Sequence, residues 1–376
     1  MPPRRLSTVR QIFMTDEQNL DIDALIERIA LCQSRGDAFF PVGIFPSYRH
    51  NKYLFYRRPD TNIFYTATIV FILNQVKSKV SAKSQTIIEH ITARAIKNYP
   101  DFQNKDGLKT YNFWKTKPSK HFPNGRIFKH FDHFRIPDDI DDTALIYLIL
   151  PHSKEDVLWL KEKVKQHTRT PAPKGELNER QTGVYSTWFG KNMPIENDVC
   201  ALCNLMYLFE KHQLPHNEYD EAVFIFLREV ILQEKYITNA FKVAHNYATT
   251  PLIIYHYARL LGDFKIPYLE VCREKLIGKT KQLLDNEANT INRVILETSL
   301  LKLDKSEEIT DNQFLITNYQ LPFTYFIAGL LSSYKNPILY FFAPFKITQM
   351  EWECEAHELA LLVERTVATV AFSSQV

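Results

Sequence analysis

Apolar residues recur along much of the chain with the period of an α-helix, and two kinds of helical segment alternate. In the first kind the apolar side chains form a single stripe, as Ile22, Ile26 and Ile29 do, which is typical of a helix with one face in water. In the second kind apolar residues surround the helix, which is typical of a helix buried on all sides. The one-sided segments are 21–32, 84–99, 155–167, 219–232 and 268–284, and the all-round apolar segments are 64–76, 139–150, 198–209, 250–261 and 290–303.

This alternation predicts an all-α fold, an α/α toroid in which an inner ring of helices is wrapped by an outer ring. A weak internal repeat agrees with it, because residues 62–73 align without a gap with residues 139–150. No domain boundary stands out, so we expect residues 1–376 to form a single toroid domain, with 1–20 as an irregular N-terminal arm. Two further segments are expected to be helical and to close the ring, 322–333 and 352–370.

Composition suggests an aromatic-lined cavity and argues against nucleic-acid binding, a membrane span and a zinc site. Aromatic residues make up 13% of the chain, with 26 Phe and 19 Tyr, which fits dense packing or an aromatic-lined cavity. A net charge of +3 is too small to predict a nucleic-acid surface. No apolar run is long enough to span a membrane and no export signal follows Arg4 and Arg5, so we expect a cytoplasmic protein. Cys200 and Cys203 lie in an apolar helical segment without further metal-ligand spacing, so we expect buried thiols rather than a zinc site.

The most unusual feature is an acidic run at residues 138–142, DDIDD, at the start of a predicted inner helix. Pro137 disfavours helical geometry at the residue before it, so one of the first two aspartates should be the N-cap. Capping and the helix dipole account for one or two such carboxylates. They do not account for four, because like charges one turn apart repel each other. Phe64 and Tyr65 stand at the matching place in the first repeat, so the scaffold itself needs no acid there.

Crowded carboxyl groups at a helix start suit proton transfer or metal binding. Mutual repulsion raises the pKa of at least one carboxyl, so that a proton is retained near neutral pH. The helix N-terminus acts in the opposite direction and makes that proton more acidic. A proton that is retained and yet acidic is what a general acid requires. Clustered carboxylates also bind Mg²⁺, especially when a diphosphate supplies the remaining ligands.

The sequence DIDDTA at residues 139–144 resembles the DxDDTA signature of class II terpene cyclases, which include the squalene–hopene cyclases. Those enzymes are built from α/α toroids and protonate an isoprenoid alkene or epoxide. The resemblance implies that Asp141 donates the proton, with Asp139 and Asp142 tuning and holding it. It also implies a hydrophobic isoprenoid ligand and no required cofactor, with Mg²⁺ entering if the substrate carries a diphosphate.

Other parts of the chain carry the same resemblance less closely. Segments 103–107 and 181–185 are similar to the family's Gln/Gly/Trp repeats, but neither has a Trp directly after the glycine motif. Members of the family usually have two toroid domains with the cavity between them. With the single toroid expected here, the cavity would be the toroid's own mouth or would lie at an oligomer interface.

Three other functions stay open. The run 138–142 also contains DDxxD, the Mg²⁺–diphosphate motif of class I terpene synthases, in which Asp138, Asp139 and Asp142 would hold the metal. Pro137 opposes this, because it puts the run at a helix start, and the companion Asn/Ser/Glu motif is missing. An α/α barrel with acidic helix starts also suits inverting glycoside hydrolysis. The third alternative is a non-catalytic toroid that binds a lipid or a peptide.

Aromatic side chains near the expected mouth of the toroid are the candidates for substrate binding, because their π faces can stabilise a carbocation. They are Trp188, Tyr185, Phe131, Tyr247 and Trp114. His133 and His245 are expected near the same face, where they could hydrogen-bond the acidic residues.

The remaining candidates concern head groups and membranes. Arg49, Arg57 and Arg58 could hold an anionic head group. The apolar segment 338–345 is expected to pack in the core, with peripheral membrane contact as the alternative. Taken together, the residues favour an enzyme of the isomerase or lyase type, a proton-initiated isoprenoid cyclase. They give no oligomeric state.

Overall fold

The computed structural model describes residues 20–169, 182–190, 193, 195–307, 323–329 and 336–373. In chain order the helices are α1 Ile22–Cys32, α2 Phe64–Val76, α3 Ala82–Ile96, α4 Ile140–Ile149, α5 Lys154–Lys165, α6 Val199–Lys211, α7 Glu218–Leu232, α8 Lys235–Thr238, α9 Ala240–Val243, α10 Thr250–Asp263, α11 Pro267–Leu284, α12 Thr290–Leu303, α13 Pro337–Phe342 and α14 Glu355–Ser373. The strands are β1 Ser47–Asn51, β2 Tyr56–Asp60, β3 Phe326–Gly329 and β4 Gln349–Glu353.

Within the described ranges, six helices form a closed inner ring. Helices α2, α4, α6, α10, α12 and α14 each pack against the next, and α14 returns to α2. These helices are buried on nearly every side, whereas α1, α3, α5, α7 and α11 lie outside and bury one stripe, such as Val157 and Leu160 of α5. The predicted α/α toroid is therefore confirmed, and every helix of the alternating pattern lies within three residues of its expected bounds.

A small four-stranded antiparallel sheet, in the order β2-β1-β4-β3, is the main departure from the sequence prediction. Strand β3 lies inside 322–333, which we expected to be helical; the rest of that segment except residues 323–325 lies outside the described residues. Trp352 and Glu353 belong to β4, and α14 begins only at Glu355. The helix expected over 352–370 is therefore confirmed from Glu355 onward, and it closes the ring between α12 and α2 as expected. The helix prediction was wrong for residues 326–329 and 352–353, because short apolar runs have no period long enough to distinguish a strand from a buried helix.

The sheet covers the end of the toroid at which the inner helices begin. The amide of Ile327 in β3 donates to Asn246 O, just before α10, at 2.9 Å. The hydroxyl of Tyr65, at the start of α2, donates to Trp352 O of β4 at 2.7 Å. Tyr65 also lies 5.4 Å, ring to ring, from His357 at the start of α14. The first turns of the inner helices therefore meet under a cover of strands.

A buried ion pair holds the β1–β2 hairpin in this cover. Arg49 pairs with Asp60, and both side chains are fully buried. The second guanidinium nitrogen of Arg49 donates to Pro123 O at 2.7 Å. Because the side chain of Arg49 is fully buried, it is not accessible to an anionic head group, and that prediction was wrong for it. Arg57 is paired with Glu353 at 2.7 Å, which leaves Arg58 as the arginine of this set without a described carboxylate partner.

We expect Arg49→Met to lower the free energy of unfolding by about 3–5 kcal/mol, because Asp60 would remain as an uncompensated buried charge. Arg58 faces Arg49 across the hairpin and is partly exposed, so Arg58→Met is the matched control, with an expected change within about 0.5 kcal/mol. Urea unfolding of the three proteins measures both values. Equal stability of the two variants would contradict a structural role for the ion pair.

Candidate active site

Inner helix α4 begins in a setting that excludes water. Asp139 is its N-cap, and Asp139 Oδ1 accepts hydrogen bonds from the amides of Asp141, at 3.0 Å, and Asp142, at 2.8 Å. The backbone of Asp139 bridges to Tyr111 on one side and to Trp188 on the other. The loop before α4, which holds Tyr111, and the loop after α5, which holds Trp188, therefore fix the start of α4 from both sides.

The repeat seen in the sequence has a structural counterpart at this point. Asn62, the residue aligned with Asp139, bridges to Trp114 as Asp139 bridges to Trp188. Asn62 Oδ1 also accepts the amide of Tyr65, so it caps the first turn of α2. Both inner helices thus begin with a polar cap held against a loop that contains a tryptophan. Helix α4 has carboxylates in the positions after its cap, where α2 has Phe64 and Tyr65.

The four carboxylates of the acidic run have different partners. Asp138 accepts from Asn104 Nδ2 and, at 2.6 Å, from Thr110 Oγ1. The carboxyl groups of Asp139 and Asp142 interact electrostatically with each other. Burial, together with the neighbouring acid, raises the pKa of Asp142 well above its ordinary value and that of Asp139 to about 8. Among the described residues, these carboxylates do not form a group that could hold a metal ion.

Asp141 points toward the centre of the ring. Its Oδ1 accepts from Asn204 Nδ2 of α6 at 2.6 Å, and its Oδ2 accepts from the hydroxyl of Tyr247, just before α10. The residue is 6% exposed. Helix α4 supplies the carboxyl group, and its partners come from α6 and from the segment just before α10, so the site depends on these inner helices packing together.

A buried arginine stands behind Asn204. Arg259 of α10 donates to Asn204 Oδ1 and also lies against the rings of Phe71 and Tyr255, 5.1 and 5.2 Å from their centroids. The amide of Asn204 therefore links a permanent positive charge to Asp141, since an arginine side chain stays protonated in proteins. The chain Arg259–Asn204–Asp141 is called the amide relay below.

Opposing effects act on the proton of Asp141. Burial raises the pKa of this carboxyl, while the hydrogen bonds from Tyr247 and Asn204 and the charge of Arg259 lower it. A carboxyl group offers about four lone-pair positions, and the two described donors use two of them, so a proton can occupy a third. After that proton leaves, the carboxylate keeps both donors and the nearby positive charge. The site can therefore retain a proton and still release it to a weak base.

A cluster of aromatic rings adjoins Tyr247 and hence Asp141. Its members are Phe64, Phe113, Tyr247, Tyr325 and Phe326. The ring of Phe326 in β3 lies 4.9 Å from Phe64 and 5.3 Å from Phe113. Tyr247 lies 5.7 Å from Tyr325. These rings contact one another, so a substrate chain that enters between them must move them apart.

Of the aromatic candidates from the sequence, Tyr247 is the one that the structure brings to Asp141. Tyr185 is fully buried, but its hydroxyl donates to Asp220 of α7 at 2.9 Å, away from the acidic run. Phe131 is 53% exposed and contacts Phe134. None of these contacts brings Tyr185 or Phe131 to Asp141, and their part in substrate binding stays a prediction.

The two tryptophan candidates lie close to the helix starts, through backbone bridges to Asn62 and to Asp139. Trp114 is buried, and its indole nitrogen donates to Asp60 at 3.1 Å. Trp188 is partly exposed and lines a cleft of about 480 Å³ together with Lys163 and His167. Its backbone, rather than its ring, contacts the acidic run through the bridge to Asp139.

The histidine and cysteine candidates have structural surroundings. His245 Nε2 lies 3.0 Å from the hydroxyl of Tyr340, so it does not bond the acidic run. The side chain of His133 lies outside the described part. Cys200 and Cys203 are free and buried in α6, as expected.

Sequence reasoning missed Asn204, Arg259, Tyr325 and Phe326. A usable signal existed for the first two, since each is a polar residue inside a helix predicted to be apolar all round. Such a residue needs a partner in the interior. Tyr325 and Phe326 could not have been found in this way, because their strand was taken for a helix.

Inner helix α6 also begins with a buried carboxyl cap, Asp198, and its titration can be measured. Asp198 Oδ1 accepts from Cys200 N at 2.9 Å, and its Oδ2 accepts from Asn246 N at 3.0 Å. Burial raises the pKa of Asp198 from 3.8 to about 7. The folded state therefore binds this proton more tightly than the unfolded state, so the free energy of unfolding should fall as pH rises from about 4 to about 7.

We expect Asp198→Asn to remove this part of the pH dependence, because the amide can still cap α6 and does not ionise. The variant carries a constant penalty, since its amide group cannot accept from Asn246 N as the carboxylate does. Urea unfolding from pH 4 to pH 8 should show the variant gaining stability relative to wild type as pH rises. Parallel curves would contradict a raised pKa for Asp198.

No protein-family model matches the chain, and no curated protein matches it. Solved structures similar to it include the type II terpene cyclase MstE from Scytonema, as a variant in complex with its substrate geranylgeranyl dihydroxybenzoate and as the apo protein. The complex superimposes with a TM-score of 0.57 at 9% sequence identity, covering 93% of this chain and 97% of that one. The apo structure gives 0.56 at 10% identity with the same coverage. This chain therefore has the fold of a type II terpene cyclase.

Proposed function

We propose that this protein cyclises a linear isoprenoid by proton-initiated chemistry and that Asp141 is the general acid. The observation that carries the proposal is the position of Asp141: buried, tied to Arg259 through the amide relay, and adjacent to an aromatic cluster. The fold shared with MstE supports it, because that protein is a type II terpene cyclase.

The proposed reaction begins with transfer of the Asp141 proton to an alkene or epoxide at one end of the substrate. The new C–H or O–H bond leaves a carbocation, which neighbouring double bonds of the same molecule attack in turn. Aromatic π faces stabilise the positive charge without capturing it. In the final step the last cation loses a proton, which leaves a neutral cyclic product. Exclusion of water matters throughout, because water would trap the intermediates.

The substrate is proposed to be a prenyl chain attached to a polar or aromatic head. The neighbour's ligand, geranylgeranyl dihydroxybenzoate, is of that kind. The comparison covers nearly all of both chains, so MstE has about the length of this chain. A two-toroid protein is therefore not a requirement of the proposal. It needs no cofactor, and Mg²⁺ enters only with a diphosphate substrate.

The surroundings of Asp141 favour this proposal over the alternatives. An inverting glycosidase needs a polar sugar pocket with a separated base. The rings beside Asp141 are instead largely apolar. A class I synthase needs Asp138, Asp139 and Asp142 to converge on Mg²⁺. Instead Asp138 accepts hydrogen bonds from Asn104 and Thr110, and Asp139 caps α4. Among the described residues no group of acidic side chains is arranged to hold a metal ion. A binding-only toroid gives no reason for a buried arginine behind a buried acid.

We expect Asp141→Asn to lower the cyclisation rate by about 10²–10⁴-fold, the usual contribution of general acid catalysis. The protein should be incubated with linear isoprenoids and prenylated hydroxybenzoates, each with and without diphosphate where applicable and with and without Mg²⁺. Cyclic products are identified by mass spectrometry and NMR. A product that retains its diphosphate indicates proton initiation, and one that has lost it indicates ionisation.

The matched control for this substitution is Glu155→Gln. Glu155 occupies the second position of outer helix α5, as Asp141 does in inner helix α4, and it is exposed. Its amide variant should keep wild-type activity. Wild-type activity in a folded Asp141→Asn variant would rule out Asp141 as the acid.

The amide relay gives a separate expectation for Arg259→Met. Removing the positive charge raises the pKa of Asp141 and makes its proton a weaker acid. We therefore expect kcat to fall by about tenfold with little change in KM, and the alkaline limb of the kcat profile to move to higher pH. Arg259→Lys, which keeps the charge, should recover part of the rate. A variant that loses activity only through a lower melting temperature, with an unmoved pH profile, would show that Arg259 is purely structural.

A further inference from the structure

An exposed apolar patch lies at one end of the strands of the sheet, where β1 ends and β4 begins. Its members are Tyr53, Leu54 and Phe55 at the tip of the β1–β2 hairpin and Ile338, Phe341, Phe342, Phe345 and Ile347 on and after α13, all between 42% and 98% exposed. Core packing of segment 338–345 was therefore a wrong prediction for most of its large side chains. Together these eight residues are called the hairpin patch.

The two halves of the hairpin patch are physically joined. Asn51 Oδ1 accepts the amides of Tyr53, at 2.9 Å, and Leu54, at 3.0 Å. The amide group of the same Asn51 donates to Ile347 O at 3.0 Å and to Gln349 O at 2.8 Å. One buried asparagine therefore fixes the hairpin tip against the segment that follows α13. Hydrogen bonds therefore hold the two segments together as one continuous surface.

The conformation of the hairpin tip keeps its apolar side chain in solvent. Phe55 adopts a left-handed backbone with φ of +48°, a region that phenylalanine rarely occupies, and it is 98% exposed. On the other half, Phe341, Phe342 and Phe345 contact one another with ring centroids 5.4–6.3 Å apart. These rings are largely exposed, so they bury little apolar surface in the interior of the protein. Their exposure suits insertion into another apolar medium.

The charges around the patch are basic on balance. Lys346 is paired with Glu351 at 3.0 Å, and Arg57 is paired with Glu353 at 2.7 Å, so these charges cancel. Lys52 lies beside the ring of Tyr53, and Arg58, in the middle of β2, lies over the ring of Tyr56. Neither has a carboxylate partner among the described residues. Apolar side chains flanked by unpaired basic ones match a bilayer surface that carries anionic lipids.

We infer that the hairpin patch docks this protein on the surface of an anionic lipid bilayer. Among the described residues no helix is long and apolar enough to cross a membrane, so the contact is interfacial. The phenylalanines enter the boundary between head groups and acyl chains, and the basic residues meet the lipid charges. The docking places the covered end of the toroid near the lipid phase. It goes beyond the proposed cyclisation and does not depend on it.

Flotation of the full-length protein with vesicles tests this inference. We use vesicles of phosphatidylcholine alone and of phosphatidylcholine with phosphatidylglycerol. Wild type should bind the anionic vesicles, and binding should weaken as salt rises. The double variant Phe55→Ser/Phe341→Ser should bind at least about tenfold more weakly, because each phenylalanine contributes buried apolar area. Lys52→Glu should weaken binding to the anionic vesicles alone.

The matched control is Val271→Ser, which removes a 59% exposed apolar side chain from outer helix α11. It should bind vesicles as wild type does. All the substituted residues are exposed, so melting temperatures should stay unchanged. Failure of wild type to bind either vesicle, or equal binding by the double variant, would overturn the inference. A dimer that the double variant converts to monomers, without any vesicle binding, would assign the patch to self-association instead.

Discussion

A helix buried on every side must begin without water, and this constraint organises the structure. The first amides of such a helix have no partner within the helix itself and must find one in the interior. Here Asn62, Asp139, Asp198 and Asn289 supply side-chain oxygens at the starts of α2, α4, α6 and α12. Loops and strands cover the same end of the ring, so polar groups and aromatic rings are brought together there.

At α4 the same constraint creates chemistry beyond capping. Burial opposes ionisation of the carboxyl groups and raises the pKa of both Asp139 and Asp142. Asp141 is under two opposite influences, since burial favours its protonated form while Arg259, through Asn204, favours its carboxylate. A group balanced in this way suits proton transfer to a poor base such as an alkene. Its surroundings of Phe64, Tyr247 and other rings suit the cation that results.

Much of this was accessible from the sequence, and the limits have physical causes. The inner and outer helices could be located because burial on one side or on all sides leaves a periodic pattern over ten or more residues. The acidic helix start could be found because four carboxylates exceed what capping explains. The strands of the sheet were too short to leave a period. The pairing of Asp141 with Asn204 depends on the ring closing, which brings together residues far apart in the chain.

If Asp141 is the general acid, it carries a proton at pH values where an ordinary aspartate has lost it. Infrared difference spectra of wild type against Asp141→Asn, recorded with carbon-13-labelled aspartate from pH 4 upward, measure this directly. The expected result is a protonated-carboxyl band in wild type that persists above pH 4 and is missing from the variant. Identical spectra in that region above pH 4 would show Asp141 already ionised and would contradict its role as the acid.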